Sequence, residues 1–170
     1  NAIVSKVPKG VENIQDIYPL SPLQEGIYFH HLMSEKEQGD PYVLSHLLSF
    51  ENEEKRGSFI DALQFVVNRH DVLRTCFVSE GLPKAVQVVQ REAKLSIEEL
   101  TYNCTRDVES QLKELTAPGS QWIDASTAPL LQLKSVKDLE SGSCYLVLNQ
   151  HHLILDHIGI EKIVAEIEVY

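Results

Sequence analysis

Apolar and polar positions along the chain follow two kinds of pattern. Short runs rich in valine, isoleucine, leucine and aromatic residues predict strands, and apolar residues three or four positions apart predict helices. Because strands and helices mix without strict alternation, the pattern predicts an α+β fold in which a mixed sheet packs against helices. Strands are predicted over 42–50, at the end of 71–78, and over 85–89, 95–100, 131–136 and 143–148, and helices from near residues 22, 58, 108 and 158.

The N-terminal stretch lacks a regular pattern. Its valines and isoleucines follow no firm period, and Pro8-Lys9-Gly10 would interrupt a helix. We therefore interpret 1–17 as an extended lead-in or linker and 18–170 as the domain. The chain has no start methionine and its last predicted helix still continues at Tyr170, so we expect it to be a piece of a longer protein.

Two helix starts can be located from their capping residues. Ser21 is a good N-cap, Pro22 suits the first helical position, and Gln24 completes a capping box. Ser58 is expected to cap the second helix, after a charged connection over 51–56.

Composition and charge narrow the class of protein. The chain has 170 residues, enough for one domain with a real core, and its hydrophobic content of 43% is ordinary for a globular protein. A net charge of −10 argues against a nucleic-acid backbone as partner. No apolar run approaches the roughly 20 residues that span a membrane, and the N-terminus has no signal-peptide core. We therefore expect neither a nucleic acid nor a membrane as partner.

The chain has three cysteines, Cys76, Cys104 and Cys144, an odd count without the spacing of a metal site. Cys76 and Cys144 lie in apolar, strand-like runs, so we expect them to be buried thiols. Free thiols fit a reducing compartment, which predicts a cytoplasmic protein.

Candidate chemistry concentrates in 149–157, Asn-Gln-His-His-Leu-Ile-Leu-Asp-His, which follows an apolar strand and precedes a helix. Strand ends often present functional residues on a rigid support, and an imidazole can take a proton from a nucleophile near neutral pH. Side chains alternate along a strand, so only one of His151 and His152 can face a given cleft. We favour a functional site here over packed core histidines beside a helix cap.

A zinc site is the alternative chemistry for this stretch. Zinc hydrolases with a His-x-His-x-Asp-His run would need a histidine in place of Ile154. Adjacent strand residues also point to opposite faces, which prevents His151 and His152 from sharing a metal. We therefore expect no metal in this stretch.

Another histidine, His46, interrupts the apolar positions of 42–50, and we interpret it as a packed polar side chain.

Three stretches, in order, resemble the motifs of nonribosomal peptide synthetase condensation domains. The first is Ser21-Pro22-Leu23-Gln24. The second is 69–77, Arg-His-Asp-Val-Leu-Arg-Thr-Cys-Phe, with Asp71 where glutamate is usual. The third is 151–157, which is similar to His-His-x-x-x-Asp-Gly with His157 in place of the glycine.

That resemblance implies a fold like chloramphenicol acetyltransferase, with two similar lobes in a V and a tunnel between them. The chain is long enough for the N-terminal lobe only, so the C-terminal lobe would be a missing partner and the isolated lobe would be inactive. The implied reaction is peptide bond formation, in which an amine on an acceptor carrier protein attacks the thioester of a donor peptidyl carrier protein. Both substrates would be attached to 4′-phosphopantetheine arms of the carriers, and no cofactor would bind the lobe directly.

The resemblance also implies roles for single residues. His152 would be the active-site histidine, acting as a base or orienting the amine, and His151 would be the structural member of the same catalytic motif. Asp156 would form an ion pair with Arg74 and hold the catalytic loop. A buried carboxylate needs a partner, and arginine offers a bidentate match.

His30-His31-Leu32, followed by Gly39-Asp40, resembles the additional N-terminal motif of dual epimerization/condensation domains. Six residues separate the two parts here, whereas the family pattern has four. The implied function is inversion of the donor residue. Adjacent helical residues lie about 100° apart, so we expect only one of His30 and His31 to face the tunnel. The alternative is that both are polar residues at a helix end.

Two other functions stay open at this point. A coenzyme A-dependent acyltransferase shares the fold and the His-x-x-x-Asp pattern, but it would need neither the first-helix histidines nor a carrier protein. A non-catalytic binding module is the other, and His157 in place of glycine is its main support. A carrier domain directly before Asn1 would favour the synthetase.

Overall fold

The computed structural model describes residues 3–100, 107–138 and 142–169 of an α+β protein. Cys104 and most of the expected turn at 138–142 lie outside these ranges. The strands are β1 (Ile14–Pro19), β2 (Val43–Phe50), β3 (Thr75–Val78), β4 (Val86–Gln90), β5 (Ile97–Leu100), β6 (Leu131–Lys137) and β7 (Cys144–His151). The helices are α1 (Pro22–Met33), α2 (Glu53–Arg69), α3 (Val108–Leu115) and α4 (His157–Val169), with short 3-10 helices at Gly10–Asn13 and Asp71–Arg74.

The described strands form two sheets. In the first, β1 and β3 both pair antiparallel with β4, in the order β1-β4-β3. In the second, the order is β2-β7-β6-β5, with β5 parallel to β6 and the other neighbours antiparallel. The sequence predicts one mixed sheet, and the second sheet is mixed. The division of the strands into two sheets was not predicted, because apolar runs alone do not reveal which strands pair.

The expected capping box at the start of α1 is confirmed. The Ser21 hydroxyl accepts a hydrogen bond from the Gln24 N–H at 3.2 Å, and the Ser21 N–H donates to Oε1 of Gln24 at 2.9 Å. The helix buries Ile27 and His31 and leaves His30 exposed. His31 therefore faces the interior of the protein.

The interpretation of 1–17 as a linker is wrong for the part that the structure describes. β1 begins at Ile14 and pairs with β4, and both Val7 and Asn13 are buried. The Asn13 amide donates to the carbonyl oxygen of Glu92 at 3.0 Å, which ties this stretch to the end of β4. The side chains of β1 are mostly exposed, so the strand lacks the apolar alternation that marks a strand in a sequence.

Helix α2 begins at Glu53, earlier than the expected start at Ser58. The Asn52 side chain accepts a hydrogen bond from the Lys55 N–H at 2.9 Å, so Asn52 is the cap. Two acidic residues, Glu53 and Glu54, follow at the positive end of the helix. This first turn is charged and largely exposed, so no apolar face distinguishes it from a loop.

The core lies between the helices and the sheets. α2 contacts α4, β2 and β7. The buried apolar side chains of these elements include Leu63, Val66, Val67, Leu146, Leu148, Ile160 and Ile163. Cys76 and Cys144 are buried free thiols, as expected, and burial raises the pKa of Cys76. No helix in the described part of the chain combines the length and the apolar character that crossing a membrane requires.

Candidate active site

Strand β7 brings two histidines to the end of a central strand, between β2 and β6. The His151 N–H donates to the Leu130 carbonyl at 3.1 Å. The His152 N–H donates to the Tyr42 carbonyl at 2.8 Å. Residues from both sides of β7 therefore hold the backbone at the point where the strand ends.

His152 lies in the turn after β7 and is half-buried. Its Nδ1 lies 2.9 Å from the carbonyl oxygen of Leu155. A carbonyl oxygen can only accept a hydrogen bond, so Nδ1 has the proton and Nε2 of the neutral ring has a lone pair. A ring in this tautomer can accept a proton at Nε2, and the Leu155 carbonyl would stabilise the positive charge that results.

His151 has the opposite tautomer and is completely buried. Its Nδ1 accepts a hydrogen bond from the Leu153 N–H at 3.1 Å, so the ring proton is on Nε2. Nε2 then donates to Oδ2 of Asp40 at 3.2 Å. Burial lowers the pKa of His151, against the opposing effect of Asp40, and this favours the neutral ring.

Asp40 lies between His31 of α1 and His151 of β7 and is hydrogen-bonded to both rings. Its Oδ2 lies 2.6 Å from Nδ1 of His31, and its Oδ1 accepts a hydrogen bond from the Tyr42 N–H at 2.8 Å. With the bond from His151, the fully buried carboxylate has three donors around it. Burial alone would raise the pKa of Asp40, but these hydrogen bonds hold it well below its usual range.

His31, Asp40 and His151 have ligand atoms within 4.8 Å of one another, a set that could hold a metal ion. Their geometry suits hydrogen bonds instead. Two ligands of one tetrahedral zinc ion lie about 3.4 Å apart, whereas Nδ1 of His31 and Oδ2 of Asp40 are 2.6 Å apart. Nε2 of His151 also has the proton that a metal would have to replace.

A cavity of about 270 Å³ opens beside α1, and its lining includes Tyr28, His31, Phe77 and Trp122. The ring of His31 stacks on Trp122 with 5.3 Å between the ring centroids. Asp40 engages Nδ1 of His31 and leaves Nε2 unengaged by the carboxylate. His30, by contrast, is exposed. Of the two neighbouring histidines, His31 is the one that combines burial, a carboxylate partner and a cavity.

The expected ion pair between Arg74 and Asp156 is not formed. Nη2 of Arg74 lies 2.5 Å from Oδ1 of Asp71, and Nη1 donates to the backbone carbonyl of Gln90. Asp156 is exposed, and its Oδ1 accepts a hydrogen bond from the Gly159 N–H at 2.7 Å, so it caps α4. The expectation assumed a buried carboxylate. An exposed cap has no need of an arginine partner.

His157 and His46 take no part in the hydrogen bonds of His151 and His152. His157 begins α4, is largely exposed, and pairs with Glu161 at 3.1 Å, so its ring does not enter the turn of His152. His46 is half-buried on β2, and within the described ranges its Nε2 has no hydrogen-bond partner. Burial lowers the pKa of His46, and His157 adds to the effect. His46 is thus the packed polar side chain that the sequence predicts.

The sequence pattern alone does not identify Asp40 as the partner of two histidines. Gly39, directly before it, has a positive φ of 79°. A side chain there would overlap the carbonyl oxygen of Gly119. A glycine is therefore required where the backbone turns tightly before Asp40. Gly39 in the sequence could have predicted the tight turn, but it does not predict that the turn brings Asp40 to His31 and His151.

Several known proteins are similar in sequence to this chain. A family model described as Condensation domain matches residues 14–169. Malpinin synthetase from Mortierella alpina is 46% identical over 168 residues, which is 98% of this chain and 2% of that protein. Malpibaldin synthetase from the same organism is 43% identical over 169 residues, which is 99% of this chain and 3% of that protein. The chain therefore spans only a small part of these relatives.

Solved structures share the fold. The starter condensation domain of rhizomide synthetase superposes with a TM-score of 0.71 and 19% identity, over 90% of this chain and 38% of that one. A four-domain nonribosomal peptide synthetase bound to AMP and glycine gives a TM-score of 0.73 and 14% identity, over 92% of this chain and 12% of that one. The predicted chloramphenicol acetyltransferase-like α+β fold, with a mixed sheet packed with helices, is confirmed.

Proposed function

The chain belongs to the condensation domain family, and from that premise we propose that it is the histidine-bearing lobe of an enzyme of nonribosomal peptide synthesis. The proposed reaction is peptide bond formation between two carrier-bound thioesters. One observation above all supports it: Nδ1–H of His152 donates to Leu155, which leaves Nε2 available to the incoming amine. The proposed partners are a second lobe and the donor and acceptor carrier proteins with their 4′-phosphopantetheine arms.

The geometry of His152 suits a single proton transfer. The acceptor amine attacks the donor thioester carbonyl, a C–N bond forms, and the C–S bond breaks. Nε2 of His152 accepts the proton that the amine loses, or orients the amine through a hydrogen bond, and the proton leaves with the thiol. The Leu155 carbonyl supports the ring while it is charged.

His152→Ala in the full-length protein tests this assignment. With donor and acceptor loaded on their carriers, we expect peptide formation to fall about 10²–10⁴-fold, the usual effect of losing a general acid–base group. His157→Ala is the matched control, because that ring is exposed and lies outside the turn. Near-normal peptide formation by a folded His152→Ala protein would contradict the proposal. A wild-type protein that used a coenzyme A thioester in place of the loaded donor carrier would instead be an acyltransferase.

We also propose that the chain on its own does not form peptide bonds. It covers 38% of the starter condensation domain of rhizomide synthetase, so the 170 residues correspond to less than half of that domain. Much of the rate in such a reaction comes from positioning the two reactants. A single lobe would form only one side of the tunnel in which the two phosphopantetheine arms have to meet. Turnover by the purified 170-residue chain with loaded carriers would refute this.

We further propose that His31, with Asp40, inverts the donor residue before bond formation. Asp40 holds Nδ1 of His31, and the ring lines a cavity, an arrangement that makes Nε2 a second base apart from His152. The base would remove the proton from the α-carbon, and the electron pair would move onto the thioester carbonyl. A proton returned to the opposite face would give the other configuration.

Donors with deuterium at the α-carbon test the inversion. In the full-length protein, we expect His31→Gln to abolish both loss of the label and the change of configuration in the product. His30→Gln is the matched control, because its exposed ring has no carboxylate partner in the described part of the chain. If both variants and the double variant invert an L-residue at the normal rate, these histidines only end a helix.

A further inference from the structure

The segment that leads into β2 holds the end of β7 from one side. Asp40 binds the ring of His151, and the Tyr42 carbonyl accepts the N–H of His152. The segment is itself fixed, because the Asp40 N–H donates to the Gln121 carbonyl at 2.8 Å. Both histidines of the motif therefore take their positions from the same short stretch of chain.

A series of hydrogen bonds leads from Asp40 to the ring of His152. The carboxylate accepts a hydrogen bond from Nε2 of His151, whose Nδ1 accepts one from the Leu153 N–H. Leu153 lies in the turn between His152 and Leu155. At the end of that turn, the Leu155 carbonyl accepts a hydrogen bond from Nδ1 of His152.

The charge on Asp40 matters because it selects the tautomer of His151. With the proton on Nε2, the ring donates to Asp40, and its Nδ1 can accept from Leu153. With the proton on Nδ1, two N–H groups would face each other in a buried turn, and Nε2 would face the carboxylate without a proton between them. The carboxylate therefore keeps the turn closed.

We propose that Asp40 is a positioning residue for His152 in peptide bond formation. It acts through the tautomer of His151 and the turn that ends at Leu155, and not through His31. The inference rests on the function proposed for His152 and is separate from inversion of the donor. It gives Asp40 a role even when the donor already has the configuration found in the product.

Asp40→Asn in the full-length protein is the test. Asparagine has nearly the same shape, but its amide cannot accept from two rings and a backbone N–H without turning its NH₂ group toward a donor. The donor carrier is loaded with the native donor residue in the configuration found in the product, so no inversion is needed. We expect kcat to fall at least about tenfold while KM stays within about twofold. Asp61→Asn, on the exposed face of α2, is the matched control and is expected to behave as wild type.

A pair of substitutions at His151 provides the test if Asp40→Asn does not fold. His151→Asn keeps an acceptor near Nδ1 for the Leu153 N–H, whereas His151→Gln keeps a donor near Nε2 for Asp40. If the closed turn is what positions His152, His151→Asn keeps a kcat at least about tenfold above that of His151→Gln. Equal values, or the reverse order, overturn the inference.

The outcomes distinguish this inference from the function on which it rests. An unchanged kcat in folded Asp40→Asn, with His152→Ala inactive, overturns the positioning role alone. Normal peptide formation by His152→Ala overturns the proposed function, and the positioning role with it. If kcat falls in Asp40→Asn and in His152→Ala while Asp61→Asn behaves as wild type, the result supports the proposed function and the positioning role of Asp40.

Discussion

Gly39 and Gly119 are in such close contact that a Cβ atom on Gly39 would overlap the carbonyl oxygen of Gly119. The contact presses the turn before Asp40 against the loop that follows α3. That loop also provides the Gln121 carbonyl for the Asp40 N–H. The position of the buried Asp40 carboxylate therefore depends on the close backbone contact between Gly39 and Gly119, which a side chain on Gly39 would prevent.

Gly39→Ala is expected to destabilise the complete condensation domain by about 2–4 kcal/mol, because a left-handed backbone and an overlap with main chain both oppose the new methyl group. Urea unfolding measures the change. Gly57→Ala is the matched control, since in the described part of the chain nothing apart from its chain neighbours and the adjacent backbone of α2 lies within 4 Å of the new Cβ. That variant should gain about 0.5–1 kcal/mol. An equal effect of the two variants would show that the Gly39 turn tolerates a side chain.

His151→Ala is expected to lower the free energy of unfolding by about 3–5 kcal/mol. The substitution leaves a cavity at a fully buried position and removes the partners of Asp40 and the Leu153 N–H. Urea unfolding of the complete domain measures this, with the exposed His157→Ala expected within about 0.5 kcal/mol of wild type. A loss below about 1 kcal/mol would show that the ring is not part of the packed framework.

Arg74 and Asp156 are expected to show no energetic coupling. A double-mutant cycle on unfolding should give an interaction energy within about 0.3–0.5 kcal/mol of zero. Asp156→Ala alone should cost about 1 kcal/mol as a lost helix cap, and Asp156→Ser should restore most of it. The cycle of Arg74 with Asp71 should give no more than about 1 kcal/mol, because the Asp71 side chain is 59% exposed. A coupling of several kcal/mol with Asp156 would show that the charges meet.

Acidification is expected to destabilise the domain through two histidines that burial keeps neutral, the fully buried His151 and the half-buried His46. Burial lowers the pKa of His151 and His46 in the folded protein, so the unfolded chain binds protons at a higher pH. Stability is therefore complete above the unfolded pKa of about 6.5 and falls as the pH decreases below it. The limiting slope is about 1.4 kcal/mol per pH unit for each histidine. The carboxylate of Asp40 stays ionised throughout this range, since its pKa is lowered.

Urea unfolding between about pH 7.5 and 5.5 measures this dependence. His46→Leu should make the slope shallower, because leucine does not titrate and leaves no buried ring nitrogen without a partner. His157→Leu is the control for charge, since that exposed ring also lowers the pKa of His46. A slope in His46→Leu equal to that of wild type would show that His46 titrates normally.

The sequence predicts those elements whose signals are local. The capping box at Ser21 depends on residues three positions apart, and β7 begins with an uninterrupted apolar run over 144–148, so both can be predicted from the sequence. β1 and the first turn of α2 are exposed, so hydrophobic periodicity does not report them. The rings of His151 and His152 have different partners, Asp40 and the Leu155 carbonyl, and the assignment of the catalytic role to His152 stays a prediction.

The site is less predictable where it depends on contacts between distant segments. Arg74 takes its partner from the same short helix, Asp71, whereas the motif alone suggested Asp156. Asp40 and His151 are 111 residues apart, and no periodicity connects them. A pattern identifies which residue types can do chemistry, and the pairing of β2 with β7 decides that Asp40 and His151 meet.

The pairing of β2 with β7 has a consequence for the order in which the chain can fold during its synthesis. Ser45 and Asn149, which hydrogen bond across the pair, are 104 residues apart. A ribosome adds about 5–20 residues per second, so β2 waits roughly 5–20 s for its partner. The sheet β1-β4-β3 is complete by Gln90 and can form meanwhile. Until β7 emerges, the unpaired backbone of β2 is open to neighbouring nascent chains, and the turn of His152 forms only after the sheet β1-β4-β3 can be complete.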